Sequence, residues 1–287
     1  MILLRFYALA LAVVASLAVA AHLRRDRETL VRLATLAALF TGLLAALALG
    51  VFGVAALAAA LAIFAVTELA GTREPGPRSD AHALVAAGAM LVLPAVDAAA
   101  LPWLLALISL ATGASLLARL ARAQSIDAWT EGLATLHACC GLAAMIVLAR
   151  QDVARLLALL MMLQFNDGVA YLVGRRFGKR RLAPRVSPNK TVEGLAGGVL
   201  GVALIAALTR SPLLPVFTDF PLDHALGLVV IVSGLGVGGD LLYSLIKRRA
   251  GLDDFDSRLP GHGGVLDRVD SLVAAAPLVA AWNLLRG

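Results

Sequence analysis

Little in this sequence is built for water. It has no polar stretch long enough to fold as a separate soluble domain, and its apolar residues follow no alternating, period-two pattern. The first absence leaves a single domain over residues 1–287. The second argues against a transmembrane barrel, whose strands must alternate. Cysteine is confined to Cys139 and Cys140, adjacent in one apolar run. They have neither metal-ligand spacing nor separate disulfide partners, and they read as small apolar packing residues. The GxxxxGK[ST] glycines of a P-loop are also missing.

What the chain does have is apolar length. Of its 287 residues 60% are hydrophobic, against roughly 45–50% in soluble domains, and the mean hydropathy is +0.87. Ala- and Leu-rich runs repeatedly reach the ~20 residues that cross a bilayer as a helix. Backbone groups in lipid must satisfy one another, so these runs predict an all-α, polytopic membrane helical bundle of nine to ten transmembrane helices. The candidate spans are 1–23, two within 30–69 that divide near Gly50 and Gly53, a short one at 83–96, then 101–120, 132–149, 153–173, 192–208, 225–246 and 265–285. Glu68 closes the third of these. The bases Arg24, Arg25 and Arg27 follow the first apolar run rather than precede it, which favours a span over a signal peptide.

Net charge is +6 and local. Between residues 173 and 190 lie seven bases (Arg175, Arg176, Lys179, Arg180, Arg181, Arg185, Lys190) and no acid, so the remainder is near −1. Odd-numbered connectors carry the Lys and Arg, which puts them in the cytoplasm and both termini outside. Beyond topology, such a patch attracts anionic lipid headgroups or a polyphosphate.

The run from Asp240 to Asp270 holds six Asp, five Lys or Arg and a His-Gly-Gly turn, between segments that should lie in lipid. Charge there is costly and marks a site for an ion or a charged substrate. Asp240, Ser244 and Lys247, at i, i+4 and i+7, share one helix face; Asp267, Asp270 and Ser271 share a face of the next. Asp167 sits on a third helix. Carboxylates so gathered suit Mg²⁺, which completes its shell with waters and phosphates. Helix-end pairing and capping are the plainer alternative. Residues 260–264, with His262, Gly263 and Gly264, could bring backbone N–H groups to an anion at a helix start. In residues 187–194, Lys190 could meet a phosphate, Thr191 could donate a hydroxyl hydrogen bond, and Glu193 could cap the helix or order a base.

These motifs together resemble the phosphatidate cytidylyltransferase (CDP-diacylglycerol synthase) family. Its pattern S-x-x-K-R-x4-K-D-x-(small)-x2-L-P-x-H-G-G-x-x-D-R-x-D is met at Ser244, Lys247, Arg248, Asp254, Leu259, Pro260, His262, Gly263, Gly264, Asp267, Arg268 and Asp270. The upstream S-P-x-K-T-x-E-G element is met at Ser187, Pro188, Lys190, Thr191, Glu193 and Gly194. Asp253 and Asp256 stand where the family has Lys and a small residue, Tyr243 replaces an acid, and Val192 a tryptophan. The resemblance implies a membrane enzyme that transfers CMP from CTP to phosphatidic acid, with residues 1–150 as N-terminal spans and 151–287 as catalytic spans. It implies Asp240, Asp267 and Asp254 as metal ligands, supported by Asp270, with Mg²⁺ as cofactor and one or two cations bound. Lys247, Lys190, Arg248 and Arg268 would meet phosphates. Ser187, Thr191, Ser244, Glu193, Asp167, His262, Gly263 and Gly264 would orient substrate. Partners would be CTP, phosphatidic acid and membrane lipid but no nucleic acid, with a homodimer as one form of assembly. A related CTP-dependent enzyme acting on another lipid phosphate or on a polyprenol, and an ion-coupled transporter, are the alternatives; the transporter would place its charge at mid-membrane in broken helices.

Overall fold

The computed structural model describes residues 27–72, 85–86, 88–90, 93, 99–122, 126–208, 222–256, 259 and 263–285. Its helices are α1 (Arg27–Ala48), α2 (Gly50–Ala70), α3 (Leu101–Arg122), α4 (Ala128–Gln151), α5 (Val153–Phe177), α6 (Val192–Leu208), α7 (Leu222–Arg249) and α8 (Leu266–Trp282). A hairpin of β1 (Arg181–Ala183) and β2 (Ser187–Thr191) joins α5 to α6.

Six helices are long and apolar enough to cross a membrane, and two shorter apolar ones lie at residues 33–48 and 192–207. They account for eight of the ten expected spans. Residues 1–23 lie outside the described residues, and 83–96 mostly so. The expected break near Gly50 is real: Gly50 takes φ +67°, where a side chain would be strained, and α2 starts there. The gap expected between the spans at 101–120 and 132–149 is shorter, because the helices run on to Arg122 and start at Ala128. Asp127 accepts the Thr130 N–H at 2.8 Å and starts α4 at Ala128. Asp152 alone separates α4 from α5, accepting the Ala154 N–H at 2.8 Å.

The basic segment was expected as a plain loop, and it is more ordered than that. Helix α5 runs on to Phe177, and Arg181 then pairs with Thr191 and Ala183 with Ser187, antiparallel. Pro184 and Pro188 hold Ala183 and Ser187 away from helical geometry, which favours the extended hairpin. Val192 N–H donates to Arg180 C=O at 2.9 Å, and Glu193 accepts the N–H groups of Lys179 (3.0 Å) and Arg180 (3.1 Å). The hairpin is therefore clamped at its base.

Helices α4 and α8 are the most enclosed of the six membrane-length helices. One hydrophobic core runs from Val54 and Ala62 of α2 through Leu142 and Ile146 of α4 to Val273 and Ala276 of α8. Backbones approach closely through glycine: a Cβ on Gly141 would sit inside the Val273 backbone, and one on Gly239 would lie 2.6 Å from the Asp270 carbonyl oxygen. Small residues at such crossings are how helices pack in lipid, where water supplies no drive to associate.

Candidate functional site

Two ion pairs join the elements at one end of the bundle. Lys190, near the end of β2, pairs with Asp240 of α7, and Ser244 Oγ donates to the other oxygen of that carboxylate at 3.1 Å. Two turns after Asp240, Lys247 donates to Asp267 Oδ1 of α8 at 2.6 Å, with its Nζ 5.6 Å from the Phe255 ring centre. The expected shared face of Asp240, Ser244 and Lys247 thus meets partners from two directions.

Asp270, one turn further along α8, is buried and interacts through space with Asp240, Lys190 and Asp167. Asp167 of α5 interacts in turn with Lys190 and Asp240 and accepts from Asn166 Nδ2 at 3.1 Å. Lys190 pairs with Asp240 of α7, and carboxylates of α5 and α8 lie near enough to feel its charge. Asp267 and Asp270, though i, i+3, serve different clusters.

The amides at the end of the glycine-rich turn are taken up by the protein itself. Gly264 N–H donates to Asp267 Oδ2 at 2.9 Å, as does Phe255 N–H at 3.1 Å. Val265 and Leu266 N–H groups donate to Glu68 Oε1 and Oε2 at 2.7 and 2.8 Å. Two carboxylates thus take the Gly264, Val265 and Leu266 amides at the positive end of α8, so these three do not offer themselves to a phosphate here, while residues 260–262 of the expected cradle lie outside the described residues. Gly263 has φ +77°, and a Cβ there would lie 3.1 Å from both Asp254 Cγ and Asp267 Oδ2. Asp254, exposed to solvent, thus flanks Asp267 across Gly263.

The expected substrate contacts divide. Thr191 is buried, its Oγ1 accepts the Gly194 N–H at 3.0 Å, and Cβ atoms on Gly174, Gly178 or Gly194 would fall 2.9 Å from that oxygen. It seals the α5–α6 seam rather than facing a ligand. Glu193 clamps the Lys179 and Arg180 amides and also takes its own backbone N–H in the first turn of α6. Arg248 pairs with Asp253 and donates to Leu252 C=O at 3.0 Å, so one departing acid is balanced locally. Tyr243 is buried with its OH 3.0 Å from His137 Nδ1. Ser187 is half-buried in β2 and Arg268 is exposed on α8. His262 and Arg258 lie outside the described residues.

Glu68 is the site residue that sequence reasoning passed over, treating it as the end of a span. A lone carboxylate in an apolar run was the available signal.

Among the described residues, no group of three or more His, Cys, Asp and Glu is drawn together as a metal cage. Mg²⁺ does not need one, since it is held by one or two carboxylates plus water and phosphate oxygen. Hard oxygen donors at Asp167, Asp240 and Asp270, with a single ammonium among them, leave the excess negative charge such an ion would neutralise. The residues fit it.

Membrane-crossing helices with acid and base side chains from several elements gathered at one end define an integral membrane protein with a composite polar site. The chain matches the cytidylyltransferase family over residues 30–285 and belongs to that family. It is 45% identical over 122 residues to the uncharacterized protein YnbB of Escherichia coli, covering 42% of this chain and 40% of that protein. It is 43% identical over 120 residues to a phosphatidate cytidylyltransferase of Haemophilus influenzae, 39% of each chain. A phosphatidate cytidylyltransferase of Aquifex aeolicus is 44% identical over 113 residues, 39% of this chain and 40% of that protein. In each case the matched stretch spans about two fifths of the relative's length.

Proposed function

We propose that the protein transfers CMP from CTP to phosphatidic acid, giving CDP-diacylglycerol and pyrophosphate. The observation that carries this reading is the convergence of Lys190, Asp240, Asp270 and Asp167 beside the Lys247–Asp267 pair. Two polyanions must be held together against their repulsion, and this cluster offers cations and carboxylates for that task. The names of the Haemophilus and Aquifex relatives support the same reaction.

A lipid phosphate is already ionised at neutral pH, so no covalent enzyme nucleophile is required. An oxygen of that phosphate attacks the α-phosphorus of CTP, the bond from the α-phosphorus to the bridging oxygen breaks, and pyrophosphate leaves with the electron pair. The chain's part is positioning and electrostatic stabilisation. Lys190 and Lys247 take phosphate oxygens, and Ser244 orients the Asp240 carboxylate. Asp240 would hold Mg²⁺ with Asp167 and Asp270 beside it, while Asp267, its oxygens taken by Lys247 and by the Phe255 and Gly264 amides, would position Lys247. When bound, the ion supplies charge neutralisation at the phosphates. Arg175, Arg176, Lys179, Arg180 and Arg181 gather anionic lipid at the membrane surface. The site faces the cytoplasm, in a bacterial inner membrane, where CTP is available.

Purified protein incubated with α-labelled CTP, Mg²⁺ and phosphatidic acid should place label in lipid. No labelled lipid would refute the reading. Label from γ-labelled CTP instead would identify a lipid kinase.

A further inference from the structure

We propose that Glu68 is a positioning residue for the site, acting through the turn that carries Asp267. Glu68 lies in the last turn of α2 and is almost wholly buried, at 2% exposure. Among the described residues, no cation makes a contact with it. Its two carboxylate oxygens instead take the Val265 and Leu266 N–H groups, 197 and 198 residues further along the chain. Those amides are among the first of α8, where four N–H groups have no partner within the helix. A bidentate carboxylate there fixes both the rotation and the height of the helix start.

The neighbouring residues show what that fixation serves. Gly264 lies so close that a Cβ would be 2.8 Å from Glu68 Oε2. The Gly264 N–H donates to Asp267 Oδ2, and Asp267 Oδ1 receives Lys247. Glu68, Gly264, Asp267 and Lys247 are thus linked by consecutive contacts, and only the last two have been placed in the reacting site. Glu68 also interacts through space with Asp267 and Asp256, so it sits beside like charge. A carboxylate kept in that position costs free energy that its two backbone hydrogen bonds must offset. An uncharged residue would close α2 more cheaply. Retaining the acid makes sense where the start of α8 has to be held in one orientation.

The functional half of this inference rests on the proposed CMP transfer; the structural half does not. Glu68→Gln keeps the shape but turns an N–H donor toward a backbone N–H. In lipid nanodiscs, hydrogen exchange of Glu68→Gln and Glu68→Ala should be faster at Gly264–Asp267 and unchanged in α4 and α5. Unaltered protection at that turn overturns the proposal whether or not the reaction is as proposed. In the CMP-transfer assay, kcat should fall about 10- to 100-fold, with KM for CTP changed less than about twofold. An equal loss through KM alone, or none, would also overturn it. Gly264→Ala separates positioning from general damage. Its Cβ collides with Glu68, so it should cost less activity in a Glu68→Ala background than in the native one. Additive losses would sink the coupling.

Discussion

Asp240 carries two partners on its two oxygens, Lys190 and Ser244, and a third neighbour in Asp270. Losing it leaves an ammonium beside carboxylates in a new balance and removes the proposed ion ligand. Asp240→Ala should reduce CMP incorporation about 100-fold or more, measured with α-labelled CTP over a Mg²⁺ series. Full residual activity at low Mg²⁺ would rule out its role with the ion. Arg248 and Asp253 form the opposite case. The Asp253 side chain is 95% exposed, and an exposed pair is worth about 0–1 kcal/mol at most. Asp253→Ala should leave the thermal midpoint and kcat nearly unchanged. A large loss would mean that the acid has a role its local partner does not explain.

At the scale of elements, α8 is the hub, touching α7, α4 and α3 along its length. Its approach to α4 depends on Gly141, and Gly141→Ala should destabilise the fold by about 1–3 kcal/mol through overpacking, read from thermal unfolding in detergent. The start of α4 responds to pH. The Thr130 hydroxyl and backbone N–H, with Arg119 beyond them, hold the Asp127 carboxyl below its ordinary 3.8. A depressed folded value means the cap stabilises above the unfolded value and is lost as pH falls through the folded one. The thermal midpoint should therefore drop as pH falls below about 4, and Asp127→Asn should flatten that part of the curve. Helical spacing made Asp240, Ser244 and Lys247 legible in the sequence, because i, i+4, i+7 fixes a face whatever the tertiary structure. The hairpin was not legible. Seven bases marked a loop, and only the two prolines hinted at extended backbone. Thr191 looked like a substrate donor because its glycine niche comes from α5 and α6 together, which spacing along one helix cannot reveal.

For the whole molecule, the helical class and the order of the eight described apolar helices could be read from apolar length, while long-range pairing could not. The expected orientation has its own check. A cysteine placed at Lys179 in a chain with Cys139 and Cys140 replaced by alanine should react with an impermeant maleimide only when the cytoplasmic face is open. Labelling from outside in intact cells would reverse the topology. The contact between Glu68 and Leu266 has a consequence in time. A helix made early in synthesis carries in its last turn a carboxylate whose partners, the amides at the start of α8, are made 197 and 198 residues later. Until then its negative charge must sit unmatched near the bilayer edge. Completion of the last helix is therefore the event that quenches it. A chain stalled before that point carries an exposed acid at a helix end, a feature by which unfinished molecules differ from finished ones.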